Sequence, residues 1–224
     1  GFGHIALCPE TMGKINQLGD LDEVLRFCGT DERFLPCVDF GHLNSRLLGA
    51  LDGEDAFAAV LDRIESVTLS SVTLPLPNPI SDAKVFTGRQ RPMTEVAFLF
   101  AEIRTEAGLE GIGFSYSKRA GGPAQFAHAK EVAPDLIGED PSDIARLWTK
   151  LVWAGASVGR SGASTQAIAA LDVALWDLKA KRAGLPLAKL LGAHRDSVRC
   201  YNTSGGFLHE SVEQVKDNAT RTLE

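Results

Sequence analysis

Residues 94–105 read TEVAFLFAEIRT, an apolar-rich strand. Ala107-Gly-Leu-Glu-Gly111 then turns the chain, and Gly113-Phe-Ser-Tyr-Ser117 reads as the returning strand. A strand that folds back through so short a turn must pair antiparallel, because a parallel partner needs a crossover of about a dozen residues or more. Upstream, Val67 to Leu74 is β-rich, while Pro75-Leu-Pro-Asn-Pro79 is too dense in proline for a helix or a central strand and reads as a loop. The segment is therefore predicted to be an antiparallel meander.

Helices follow it. Asp140-Pro141 sets a capping acid before proline at the first helical position, and Ile144, Leu147, Trp148 and Leu151 recur on one face. Ser164 to Arg182 repeats the pattern with Ile168, Leu171, Leu175 and Leu178, ending at Gly184 with Pro186 beyond. Val198 to Thr203 is expected as a short strand leading into Ser204-Gly-Gly206, and residues from Ser211 onward as a last helix. The expected class is α+β.

The first 65 residues have another order. Asp20-Leu-Asp-Glu23 carries a capping-box spacing, and Leu21, Val24, Leu25 and Cys28 share a face until Gly29. Phe34 to Val38 reads as a strand, and Phe57, Val60, Leu61 and Ile64 as a second helical stripe. Counted from Ile5-Ala-Leu-Cys8, the order is strand, helix, strand, helix, which predicts two parallel βα units, too few to close a barrel.

Charge divides at the same place. Residues 1–65 hold 12 acids and 5 bases (net −7), leaving 17 acids and 18 bases (net +1) for the remainder of a chain of net charge −6. Neither part has a clustered Lys/Arg stripe, so charge gives no support to nucleic-acid binding. No apolar run approaches the ~20 residues that span a bilayer, and a cytoplasmic protein is expected. Cys8, Cys28, Cys37 and Cys200 show no CxxC spacing, and three of them lie in or beside apolar runs where a thiol packs as a small hydrophobe.

Asp39 and His42 stand three residues apart in PCVDFGHLNSR, where the apolar run ends, and Glu10 follows the first apolar run in LCPETMGK. Oxygen and nitrogen donors of this kind suit zinc or another divalent transition metal. Spacing alone equally allows, and more often means, that Glu10 and Asp39 cap turns while His42 is a surface or half-buried residue. CPETMGK, INQLGDLDEVL and CVDFGHLNSR resemble the middle of the endonuclease IV family of TIM barrels, over about residues 4–65. That resemblance implies a bridging role for Glu10 and metal ligation by Asp39 and His42, with Zn²⁺ as the ion, in a phosphodiester hydrolase or sugar isomerase. The family's other ligands have no counterpart in the segment.

From about Ile64 the chain resembles the enolase superfamily. The motifs are Ile80-Ser-Asp-Ala-Lys84, Thr87-Gly-Arg-Gln-Arg91, Gly113-Phe-Ser-Tyr-Ser-Lys-Arg-Ala-Gly-Gly122, Trp153-Ala-Gly-Ala-Ser-Val-Gly-Arg160 and Ala188-Lys-Leu-Leu-Gly-Ala-His-Arg195. They look most similar to the galactarate/talarate dehydratases of the mandelate racemase group. The resemblance implies that residues 66–196 form a capping domain and residues 197–224 the first strand and helix of a (β/α) barrel. It also implies Mg²⁺-assisted removal of a proton α to a carboxylate, followed by loss of water, in a homo-oligomer. In that family the lysine base and the three carboxylates that hold Mg²⁺ come from later barrel strands, so no residue of these 224 is expected to be catalytic. Lys130, Lys150 and Lys216 are not put forward as the base.

A sugar diacid needs cations at its carboxylates and donors along its chain. Two expected loops offer them: Lys84 and Arg89 on the first, and Tyr116, Lys118 and Arg119 on the second, beside Gly121 and Gly122. Asn202 and Thr203 could add hydrogen bonds at a strand end, or simply finish a turn. The alternative for the cations is ordinary solvation. His194, after a helix, is read as structural, and His209 as exposed. A non-catalytic chimeric or truncated chain is the remaining reading. An orphan cap is expected to self-associate through exposed strand edges.

Overall fold

The computed structural model describes residues 7–14, 19–31, 33–49, 51, 53, 56, 62–201 and 210–223. The chain divides into two compact units, Gly1–Asp62 and Arg63–Glu224.

In the first unit, helix α1 (Leu21–Cys28) starts as its sequence requires. Asp20 Oδ1 accepts from the Glu23 backbone N–H at 2.7 Å, and Glu23 Oε2 accepts from the Asp20 and Gly19 N–H groups at 3.0 and 2.7 Å. Gly29 closes the helix. A second short helix, α2 (Phe40–Arg46), begins at Asp39. Leu21, Leu43 and Leu51 are the buried centre of this unit.

The two strands expected here appear only as isolated parallel bridges, Leu7 to Phe34 and Glu10 to Cys37. Proline explains the gap. Leu7 N–H donates to Arg33 O, Leu35 N–H to Leu7 O, Cys37 N–H to Pro9 O and Thr11 N–H to Cys37 O, so the missing rung is the one for which Pro9 has no N–H. The helical stripe expected from Phe57 to Ile64 lies mostly outside the described residues; Ile64 itself opens a strand. Cys8 and Cys37 are exposed, not packed as small hydrophobes, and so is Cys200 in the second unit.

The second unit is α+β. Strands β1 (Ile64–Ile80), β2 (Met93–Thr105) and β3 (Glu110–Lys118) form an antiparallel sheet in the order β1-β2-β3, with a one-turn helix, α3 (Ala83–Phe86), between the first two. Leu69 pairs with Ala101, which pairs with Gly113. The prolines at 75, 77 and 79 do not make a loop. They lie within β1, tolerated because β1 is an edge strand, and the register breaks between Pro75 and Ile80.

Helices α4 (Gly122–Val132), α5 (Ile144–Ala154) and α6 (Ala163–Arg182) cover one face of the sheet, with a 3₁₀ turn over Ala133–Leu136. Leu99, Ala101 and Ile103 point into a core shared with Leu136, Leu147, Leu151, Leu171, Leu175 and Leu178. The sequence expectation for α6 holds: Ile168, Leu171, Leu175 and Leu178 are all buried. Helix α5 departs from it in two ways. Asp143 stands at the N-cap, because Asp140 spends its carboxylate on a turn with Ser142, and Trp148 is 49% exposed while Ile144, Leu147 and Leu151 carry the burial.

Side chains of α6 finish the free edge of β3. Asp177 Oδ2 accepts from the Ile112 N–H at 2.8 Å, Lys181 Nζ donates to Glu110 O at 2.9 Å, and Gln166 Nε2 donates to Tyr116 O at 2.9 Å. The start of β1 is tied by Ile64 N–H to Glu139 O and by Gly138 N–H to Ile64 O. The Glu139 carboxylate accepts from Arg146 and Lys150 at 2.7 and 2.6 Å. Burial pushes its pKa up, but these two cations outweigh that and hold it below the usual carboxylate range.

Two short helices, α7 (Leu187–Leu190) and α8 (Val212–Leu223), complete the described elements. The strand expected over Val198–Thr203 does not form across its described part. Val198 to Tyr201 has neither strand nor helix, and Val198 and Tyr201 are exposed, with no neighbouring ladder to supply backbone partners. No helix among the described residues is long and apolar enough to cross a membrane.

Candidate functional site

The connection between β1 and β2 is built on Asp82. Its carboxylate caps α3, accepting from the Lys84 and Val85 N–H groups at 3.1 and 3.3 Å. Lys84 O then collects the N–H groups of Arg89 and Gln90, closing a compact loop around Gly88, whose φ of +69° places it in the left-handed region. Lys84 and Arg89 are both exposed on this loop.

Arg119 joins that loop to the turn after β3. Its Nη2 donates to Asp82 Oδ2 at 3.0 Å and its Nε to Arg91 O at 2.9 Å, and its side chain is 18% exposed. Arg119 holds a φ of +65°, uncommon for a residue with a side chain, and Gly121 follows at +100°. The two segments expected to bind substrate are thus bonded to each other, through a guanidinium with two of its donors committed. For the Asp82 carboxyl, burial raises the pKa, but the backbone N–H of Val85 and the Arg119 cation bring it below the usual range.

Tyr116 and Lys118 are not on the loop. Strand β3 runs to Lys118, so both side chains stand on the outward face of the sheet, with Lys118 Nζ 5.4 Å from the centre of the Tyr116 ring. Asn202, Thr203 and His209 lie outside the described residues, and His194 is exposed. Lys150 is committed to Glu139 and to Asp135 O, and Lys130 lies 5.7 Å from the Phe126 ring. Sequence reading missed Asp172, a half-buried acid on α6 whose pKa is pushed up by desolvation. Its place one residue after Leu171 on a helical stripe was the available signal. A groove of about 440 Å³ lies elsewhere on this unit, lined by Val67, Leu69, Phe126, Lys130, Ala133, Pro134 and Ile137. Its apolar walls offer little to a polyol.

In the first unit, Glu10, Asp39 and His42 do meet. One donor atom from each lies within 4.8 Å of the others, and His42 Nδ1 is 3.7 Å from both Glu10 Oε1 and Asp39 Oδ2. Asp39 is also the N-cap of α2: its Oδ1 accepts from the His42 N–H at 2.9 Å, the main reason its carboxyl lies below the ordinary range. His42 Nδ1 lies 2.9 Å from Thr11 O, an acceptor only, so that nitrogen carries the proton. Among the described residues this is the one group of three such donors. A histidine with two carboxylates suits zinc, whereas magnesium prefers oxygen ligands alone. The described residues of the second unit bring no comparable set together.

Residues 74–192 match the family described as mandelate racemase / muconate lactonizing enzyme, N-terminal domain. The L-talarate/galactarate dehydratase of Salmonella typhimurium is 68% identical over 163 residues, which are 73% of this chain and 41% of the relative. A 3,6-anhydro-alpha-L-galactonate cycloisomerase of Streptomyces coelicolor is 33% identical over 162 residues, 71% of this chain and 43% of the relative. The crystal structure of the Salmonella dehydratase with Mg and L-lyxarohydroxamate superposes with a TM-score of 0.69 at 66% identity, covering 74% of this chain and 42% of that one. L-Talarate dehydratase from Polaromonas sp. JS666, complexed with Mg and L-glucarate, gives 0.68 at 73% identity, covering 72% and 43%. The chain spans about two fifths of the length of these proteins. An antiparallel three-stranded sheet backed by helices, two loops locked by Arg119 and Asp82, and a family match across both agree: the chain belongs to the mandelate racemase group of the enolase superfamily, through the N-terminal domain of that family.

Proposed function

We propose that the second unit is the substrate-specificity cap of an acid-sugar dehydratase, and that residues 197–224 begin the barrel it covers. The observation that carries this reading is the 68% identity to an L-talarate/galactarate dehydratase across the cap. The reaction removes the proton α to a carboxylate, expels the β-hydroxyl as water and leaves an enol that becomes the 2-keto acid. Magnesium would stabilise the enediolate, and the base and metal ligands lie outside the described residues. Lys84 and Arg89 meet the carboxylates of a galactarate-like diacid, Arg119 fixes their loop, and Asn202 and Thr203 take up hydroxyls.

Changing Lys84 to Met should weaken galactarate binding about ten-fold, the loss of one charge-assisted contact. Calorimetric titration of both chains checks this, and equal affinities would count against the assignment.

The convergence of Glu10, Asp39 and His42 favours a second reading for the first unit: a zinc centre of the endonuclease IV type, in a phosphodiester hydrolase or sugar isomerase. Zinc bound through Nδ1 would cost His42 its bond to Thr11 O, so the ion must outcompete a satisfied hydrogen bond. On this reading the isolated protein retains zinc through dialysis, and Glu10→Ala or His42→Ala releases it, as read by atomic emission. Zinc content unchanged by either substitution would exclude the site.

A further inference from the structure

We propose that the open edge of β1, over residues 65–74, takes up an extended peptide as a fourth strand, with an apolar side chain of that peptide in the adjoining groove and a carboxylate of it on Lys130. This rests on the sheet and the groove alone and is independent of the dehydratase reading.

The two edges of the sheet are treated differently. Along β3, side chains of α6 occupy free backbone groups: Asp177 accepts from the Ile112 N–H, while Lys181 and Gln166 donate to Glu110 O and Tyr116 O. The outer edge of β1 is paired at its start, where Ile64 N–H donates to Glu139 O and Ile64 O accepts from the Gly138 N–H. Beyond that point, among the described residues, no backbone group of residues 66–74 is bonded outside the sheet. Those residues read SVTLSSVTL, with neither charge nor proline to repel a further strand, and the prolines begin at Pro75. An edge left in this state is a template for strand addition.

The groove beside this edge supplies what bare backbone cannot, a preference for one kind of peptide. Val67 and Leu69 of β1, with Phe126 and Ile137, line its space of about 440 Å³, enough for one large apolar side chain. Lys130 is the one charged residue lining it. It lies 5.7 Å from the centre of the Phe126 ring and pairs with no carboxylate among the described residues. The neighbouring Glu131 is turned to His128 Nδ1, at 4.0 Å. A cation without a counter-ion beside an apolar groove selects an acid next to an apolar group.

Groove and free backbone lie side by side, because Val67 and Leu69 belong to the edge strand itself. A strand added along β1 sends alternate side chains to the helix-covered side of the sheet. One of them fills the groove, and a carboxylate on the same side meets Lys130. The prolines from Pro75 onward limit the added strand at that end. A small apolar acid could use the groove and Lys130, but it would leave the N–H groups of the edge open to water. Protection of those N–H groups therefore separates a bound peptide from a bound small molecule.

Amide hydrogen exchange in the ¹⁵N-labelled chain tests it, with C-terminally amidated peptides of about six residues that alternate leucine with threonine and end in glutamate. Such a peptide should bind with a Kd of about 100 μM. At about 1 mM it should slow exchange about ten-fold at alternate amides of residues 65–74. Lys130→Glu, a change at an exposed position, should weaken the glutamate-ended peptide about ten-fold, and a lysine-ended peptide should recover the loss. No saturable binding, shifts at the groove without slowed exchange along the edge, a Lys130→Glu protein that holds the glutamate-ended peptide as tightly as wild type, or an edge already protected by a second copy of the chain would each overturn the proposal.

Discussion

Replacing Gly113 with valine should sharply lower the unfolding midpoint of the second unit. Helix α6 lies so close to β3 that a Cβ on Gly113 would stand 2.1 Å from Ala170 O and 2.4 Å from Ala174 N. Both are backbone atoms of the longest helix, so relief requires moving the helix off the sheet that buries it. Overpacking typically costs ~1–3 kcal/mol when side chains can yield; here none can, and a loss of about 3 kcal/mol or more is expected from a domain stabilised by ~5–15 kcal/mol. Gly111, whose Cβ would meet Ala174 O at 2.2 Å, sets the same constraint two residues away. Thermal unfolding followed by circular dichroism gives the answer, and a midpoint within a few degrees of wild type would show that helix and sheet are not so closely packed.

Leu171→Ala should be nearly as damaging for the opposite reason. Leu171 is wholly buried, one turn before the equally buried Leu175, in the core that α6 shares with the sheet. Truncation removes the transfer energy of its side chain and leaves a cavity, a combined cost of ~2–5 kcal/mol. Urea unfolding should show a lower midpoint with an unchanged slope. A loss below about 1 kcal/mol would mean that the surroundings collapse to fill the space, as loosely packed cores can.

The parts of this architecture that could be read from sequence are those fixed by local chemistry. The capping box at Asp20–Glu23, the stripe from Ile168 to Leu178 and the hairpin around Gly108 each carry their signal within a few residues, and each lies where it was expected. The features that escaped depend on contacts distant in sequence. Whether prolines 75 to 79 leave a strand or only border it depends on which side of β1 is unpaired. That Asp39 caps a helix directly after the run from Phe34 to Val38 depends on the chain turning helical at Phe40, which periodicity does not mark. The link from Arg119 to Asp82 spans 37 residues and two connections, so no local pattern announces it. Glu10, Asp39 and His42 were legible as residue types in register, and the parallel bridges at Leu7 and Glu10 bring them together.

Galactarate titrated with Mg²⁺ into the ¹⁵N-labelled chain, with amide and sugar-acid spectra recorded together, asks both halves of the functional question at once. If these residues are a recognition cap, the amides of residues 82–91 and 117–122 shift saturably while the galactarate signals persist. Amides that stay in place at those two segments, or galactarate converted to a keto acid by this chain alone, would contradict it.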